Sequence, residues 1–279
     1  MQAYVIPKLG SGLGNRLFQY AAALGLSETL NIPVAFSYEY CGESPHGDTT
    51  TIFRMYPGTK QLQHRIGPVI ICKEPPNSFY EFQELGDEFP ADTHIIVNGF
   101  RQSPRYFPEN ISLLEPMWDI AIGSFIMASI EDKAGLATER QRRNTVSIHV
   151  RLGDYKNLPH HQEDLALYYT RALSRLTAGS RLHLFSDEPE LCKGMFEQYA
   201  ADRRLTFTIA QKRSDVESLY EMSLCRGGNI VANSTFSWWG AWFAHRSGSP
   251  WATYPSKWGQ GMPNPTDLFP PWATIIDTT

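Results

Sequence analysis

An α/β fold whose second half is a doubly wound parallel sheet is predicted by three observations. From Thr145 onward, short apolar runs alternate regularly with stretches of helical periodicity. The chain opens on an apolar run, a glycine-rich loop and a helical stretch. The polar clusters fall at the ends of the apolar runs and not within them.

Residues 3–7 read as a strand, the glycines of 10–14 as a tight loop, and 15–30 as a helix with Leu17, Ala21, Ala22 and Leu24 on related faces. Residues 34–36, 69–72 and 94–97 read as further strands, separated by long segments rich in Pro, Gly and Thr. From there the spacing predicts strands at 145–150, 181–185, 206–209, 228–231 and 251–254, with helices at 163–177, 188–200, 214–224 and 235–246. The polar stretch TERQRRN (138–144) separates the halves, giving domains 1–138 and 139–279. The Pro-rich segment 254–272, which carries Trp258, Phe269 and Trp272, reads as an ordered wrap over the surface.

A chain of 279 residues, 42% hydrophobic and 19% charged, can bury a core without staples. Its net charge of −4 argues against nucleic acid and acidic membranes as partners. Cys41, Cys72, Cys192 and Cys225 are scattered without metal-site or disulfide-framework spacing and suit a reducing cytosol. The N-terminal apolar run is too short for a signal peptide, and no window approaches eighteen uninterrupted apolar residues. The expectation is a cytoplasmic protein with no membrane span, in which the acceptor patterns at Asn110 and Asn233 stay unglycosylated.

In an open parallel sheet, ligands bind beyond the carboxyl ends of the strands. Three clusters fall there together: HVR (149–151) after 145–150, SDE (186–188) after 181–185, and NST (233–235) after 228–231. GSGLGN (10–15) holds the equivalent place in the first half, where glycines let amides approach a phosphate. Its spacing is neither GxGxxG nor a P-loop, so dinucleotide and ATP-type readings fit poorly. Two such domains facing one another across a cleft would suit a nucleotide diphosphate. Each cluster also has a plainer reading. Arg151 beside Asp154 makes an ion pair, Ser234 and Thr235 cap a helix, and Trp238, Trp239 and Trp242 at helical spacing form core.

These residues, taken in order, resemble the α1,2-fucosyltransferase family. GSGLGNRLFQYAAALGLS resembles its opening glycine motif, NGFRQSPRYF its central one, HVRLGDY its arginine motif, and FSDEPE its acidic motif. NSTFSWWGAWF resembles its most specific motif, and YPSKWG and DLFPPW its closing pair. The resemblance implies two Rossmann-like domains facing a cleft (GT-B type), a GDP-fucose donor, a galactose-containing glycan acceptor, inversion at the anomeric carbon, no metal and no cofactor. The chain also lacks an Asp-x-Asp metal motif.

Carried over by position, Arg151 resembles the arginine that holds the pyrophosphate, with His149 and Val150 beside it as donor-site residues and His149 as a possible orienting group. Gly12, Leu13, Gly14 and Asn15 resemble the loop that reaches the donor from the other domain. Asp187 resembles the acid that reads guanine, with Glu188 a near neighbour. Asn233, Ser234, Thr235 and Phe236 resemble the phosphate-contacting helix start. Asp154 is the nearest carboxylate for a general base, with His160, His161 or a donor phosphate oxygen as alternatives. The chain departs from the family at Leu152, where a second arginine is common, at Arg16, which offers a compensating charge from the facing loop, and at Arg101, in a stretch the resemblance places near the acceptor. Two alternatives stay open: a transferase for another sugar nucleotide, and a carbohydrate-binding protein that uses the Trp-rich helix.

Overall fold

The computed structural model describes residues 2–45, 47–63, 67–78, 80–107, 115–153, 155, 164–262 and 265–279. The chain forms two compact units, Met1–Gly123 with Thr266–Pro270, and Ser124–Pro265 with Pro271–Thr279.

The first unit is built on three parallel strands, β1 (Val5–Pro7), β5 (His94–Asn98) and β4 (Val69–Lys73), in the order β1-β5-β4. β2 (Ala35–Ser37) pairs in parallel with β3 (Lys60–Leu62), and an isolated bridge joins Val5 to Val34. β5 is buried on both faces, which explains its unbroken His-Ile-Ile-Val run. α1 (Leu13–Leu30) begins directly on the glycine loop and ends where Asn31 takes a left-handed conformation, φ 52°, and returns its N–H to the last turn.

The small residues of α1 have a packing role. A Cβ placed on Gly25 would lie 1.9 Å from the carbonyl oxygen of Tyr106, in the 3-10 turn Pro104–Tyr106. A backbone oxygen cannot swing aside, so Gly25→Ala should destabilise this unit by about 3 kcal/mol, the upper range for overpacking. Thermal unfolding of the variant checks this, and an unchanged midpoint would show that the helix shifts freely.

The second unit holds six parallel strands, β6 (Thr145–Val150), β7 (Arg181–Ser186), β8 (Thr206–Ile209), β9 (Gly228–Ile230), β10 (Ala252–Pro255) and β11 (Thr274–Ile276). Their spatial order is β11-β10-β9-β6-β7-β8. Reading from the first strand of this unit, that is the 3-2-1-4-5-6 order of the Rossmann fold. Succession runs outward from β6 through β7 to β8, then returns to β9 beside β6 and proceeds the other way. The switch point therefore lies between β6 and β9.

After α1 come α2 (Thr50–Arg54), α3 (Glu115–Ala121), α4 (Ser124–Lys133) and α5 (Glu139–Asn144), and helices α6 (Ala166–Leu173), α7 (Pro189–Asp202), α8 (Asp215–Ser223) and α9 (Thr235–Arg246) fall in the connections between these strands. Trp238, Trp239 and Trp242 of α9 are at most 2% exposed, with Trp238 and Trp242 stacked 5.2 Å apart. The core reading of these tryptophans holds, and they offer no platform for a sugar. α8 packs against α9, where a Cβ on Gly240 would meet the Met222 sulfur at 2.2 Å.

TERQRRN is not a bare separator. Thr138 and Gln141 form a reciprocal capping box that starts α5 (Glu139–Asn144), and the helix runs straight into β6. The segment after β10 ends in β11, which pairs in parallel with β10 and is the edge strand of the sheet. Trp258 is buried there, while Trp272 stacks on His245 at 4.0 Å. Among the described residues no helix is long and apolar enough to cross a membrane.

Candidate active site

The carboxyl edge of the six-stranded sheet brings three of the motif clusters together. β6 and β7 run in register to Val150 opposite Ser186, so the next residues, Arg151 and Asp187, leave adjacent strands side by side. Arg151 Nε lies 3.2 Å from Asp187 Oδ2, with the two side chains 21% and 24% exposed. The same carboxylate accepts from the next two backbone amides, Leu152 N to Oδ1 at 2.9 Å and Gly153 N to Oδ2 at 2.9 Å. Arg151 is thus ion-paired with Asp187, an acid of the adjacent strand, while the pair expected with Asp154 falls outside the described residues. Asp154, His160 and His161 lie outside the described residues.

On the other side of the switch point, β9 runs out through Val231 and Ala232 into Asn233 and Ser234, and α9 begins at Thr235. Tyr155 donates from its hydroxyl to the Asn233 carbonyl at 3.0 Å, and Asn233 Nδ2 donates to the Trp258 carbonyl at 3.1 Å. These bonds tie the loops after β6, β9 and β10 to one another. The Arg151 guanidinium lies 5.8 Å from the centre of the Tyr155 ring. Tyr155 closes the HVRLGDY motif, and an aromatic hydroxyl two positions past a glycine was the signal that could have marked it.

The start of α9 differs from its capped neighbours. Ser234 occupies the N-cap, but its hydroxyl caps no amide, which corrects the expectation of a capping serine. The first turn contains no acid. α8, by contrast, opens with a Ser214–Glu217 capping box and two acids, and Asp164 serves the first amide of α6. The positive end of the α9 dipole is therefore not offset by a cap or an acid of its own sequence. α1 shares this character: Gly12 is its N-cap with no side-chain bond, its first turn has no acid, and Ser11 takes φ 69° to make the turn.

His149 is buried at the end of β6 with its ring 5.8 Å from Phe236, and its Nδ1 has no hydrogen-bond partner among the described residues. Desolvation, reinforced by the Arg151 charge, lowers its pKa from 6.5 to about 3. It is neutral at physiological pH and a poor proton acceptor, so it can shape the site but not deprotonate an acceptor. Because the unfolded chain binds this proton more readily, His149 favours folding above pH 6.5, and that contribution is lost as pH falls toward 3. His149→Leu should flatten this part of the stability curve in denaturant titrations, and an acid limb identical to that of the wild type would refute the assignment.

The remaining predicted residues fall as follows. Val150 is the buried last residue of β6, and Glu188 is the N-cap of α7, its amide donating to Ser186 Oγ at 3.1 Å. Gly12 lies just before α1 and Leu13, Gly14 and Asn15 in its first turn, in the first unit, where Asn15 Oδ1 accepts from Gln102 Nε2 at 2.8 Å. Arg16 is not a spare cation. It is 1% exposed, and it donates from Nε to the Ser11 carbonyl at 3.0 Å and from Nη2 to the Gly42 carbonyl at 2.7 Å, bracing the glycine loop. Arg101 is likewise 1% exposed and donates to the Cys72 and Asn98 carbonyls, so it is an internal strut and not an acceptor contact. Among the described residues no group of three or more His, Cys, Asp or Glu side chains is placed to share a metal ion.

A Rossmann-order sheet with an arginine and an acid-free helix start at its switch point is an α/β arrangement suited to an anionic ligand. The chain belongs to glycosyl transferase family 11, whose description matches residues 114–257. It is 25% identical over 262 residues to an α-1,2-colitosyltransferase of Escherichia coli, covering 85% of this chain and 87% of that one. It is 29% identical over 281 residues to the O-antigen biosynthesis glycosyltransferase WbnK of Escherichia coli, covering 84% and 88%. A galactoside 2-α-L-fucosyltransferase of Caenorhabditis elegans is 26% identical over 243 residues, covering 82% and 65%. In fold the chain is similar to Arabidopsis thaliana FUT1 R284K in complex with GDP (TM-score 0.52, 13% identity, 91% and 70% covered). It is also similar to the NodZ α-1,6-fucosyltransferase soaked with GDP-fucose (TM-score 0.51, 13% identity, 87% and 93% covered). The family resemblance read from the motifs is borne out, and the protein is a fucosyltransferase-family glycosyltransferase.

Proposed function

We propose that the protein is a galactoside α1,2-fucosyltransferase that moves L-fucose, with inversion, from GDP-fucose to a hydroxyl of a galactose-containing glycan without a metal or cofactor. The GT-B arrangement and a cytoplasmic location belong to the same proposal. The observation that carries it is Arg151, held at the switch point beside the acid-free start of α9 in a chain of this family. In this reading Arg151 and the first-turn amides of α9 hold the donor pyrophosphate and stabilise the negative charge that builds on departing GDP. Gly12, Leu13, Gly14 and Asn15 are donor-binding residues contributed by the first unit. An acceptor hydroxyl attacks the anomeric carbon directly and loses its proton to Asp154.

A second reading keeps the site and changes the sugar. It is favoured by the likeness to a colitosyltransferase, since a different sugar on the same kind of diphosphate would meet the same groups. Incubation with GDP-fucose, other GDP-sugars and UDP-sugars, together with a galactose-terminated glycan panel, separates the two. GDP-fucose consumption with an α1,2-linked product by NMR is expected, and preference for another donor would replace this reading with the second.

A further inference from the structure

We infer that Asp187 is the positioning residue for Arg151, one carboxylate fixing the guanidinium and the two following backbone amides, and is not the reader of the donor's base. This rests on the reading of Arg151 as the pyrophosphate ligand. Asp187 has three contacts at fixed places: an ion pair with Arg151 Nε at 3.2 Å, and hydrogen bonds accepted from Leu152 N at 2.9 Å and Gly153 N at 2.9 Å. A carboxylate offers about four acceptor positions, and reading guanine through N1 and N2 together would need both oxygens on one open side. Here each oxygen already faces its own backbone amide. The contact on the guanidinium is at Nε, the donor nearest the stem, so it restrains the side chain close to its anchor.

The surrounding residues fit the same purpose. A Cβ on Gly153 would lie 2.7 Å from Asp187 Oδ2, so the carboxylate can close on this loop only because the residue is glycine. Leu152, standing where the family commonly has its second arginine, packs its side chain on the core of the second unit while its amide goes to Asp187. The partner on the adjacent strand, Asp187, helps to set the pose of this guanidinium. This assigns roles to the acid of FSDEPE and to the glycine of HVRLGDY.

The test is a mutant cycle on GDP affinity, measured by calorimetry for the wild type, Arg151→Ala, Asp187→Asn and the double variant, with inosine diphosphate, which lacks the N2 amine, as a second probe. Asp187→Asn should weaken GDP binding about tenfold, within the coupling expected of residues in contact. It should weaken inosine diphosphate equally and cost less than about twofold once Arg151 is already alanine. Gly153→Ala, which leaves both side chains in place, should reproduce the loss and serves if Asp187→Asn does not fold. Independent, multiplying effects of the two substitutions would overturn the inference, as would loss of the preference for GDP over inosine diphosphate in Asp187→Asn. Failure of the wild type to bind GDP would instead bring down the reading of Arg151, and is seen before any variant is made.

Discussion

Arg151→Ala should lower the rate of sugar transfer by two to three decades and leave the fold intact. The loss corresponds to about 3 to 4 kcal/mol, the usual effect of removing one preorganised donor from a developing negative charge. The guanidinium is a fifth exposed and its ion pair with Asp187 is partly solvated, so the cost to stability should stay near or below about 1 kcal/mol. The carboxylate left behind keeps the Leu152 and Gly153 amides and is not stranded. Arg151→Lys should recover only part of the rate, because lysine has no Nε donor for Asp187 to hold. Transfer assays beside thermal unfolding of the same preparations decide the matter. A variant keeping more than a tenth of wild-type turnover would remove Arg151 from the chemistry.

The largest stability effect is expected outside these loops, at Glu221. This residue of α8 is 1% exposed, and its two oxygens accept from different partners: Oε1 lies 2.8 Å from His183 Nε2 and Oε2 2.9 Å from Arg213 Nε. His183 Nδ1 continues the chain to the Thr208 hydroxyl at 2.7 Å, so one buried network joins β7, β8, α8 and the loop before it. Removing the carboxylate leaves a guanidinium that is only 12% exposed without its counter-charge and a buried imidazole without its acceptor. Breaking a buried pair in this way costs about 3 to 5 kcal/mol. Glu221→Ala should therefore move the urea midpoint sharply downward, and Glu221→Gln, which keeps the volume and an acceptor oxygen, should cost less. A loss below about 1 kcal/mol for alanine would mean that water enters and solvates the network.

Much of the second unit is legible in its sequence, because a strand buried on both faces and a helix starting from a polar loop each leave a plain local signal. TVSIHV gives β6 with its exact limits, and NST followed by the tryptophans gives the start of α9. Weak signals fail where the elements are short or at an edge. β3 is a half-open Lys-Gln-Leu and β11 a partly exposed Thr-Ile-Ile, each with too few residues for a period to show. α5 is wholly polar and is visible only through its capping box. Arg16 and Arg101 could not be placed from the sequence, since an arginine reads as a surface residue unless the carbonyls that surround it are known. The pairing of Arg151 with Asp187 is hidden for a related reason, because it depends on the register of two strands and on no local pattern. The site was thus readable as a set of positions, while the partner of each group was not.

The strand order has a further consequence, for how the chain is made. β6 is the first strand of its sheet to leave the ribosome, yet it lies between β7 and β9, and β9 is synthesised only after three more helices and two more strands. Until then one edge of an uncharged, proline-free, largely β-branched segment has no native neighbour. Pairings so distant along the chain form slowly. The strand that delivers Arg151 to its place is accordingly the one most open to mispairing during synthesis, and losses of yield through aggregation would trace to this central strand before any peripheral one.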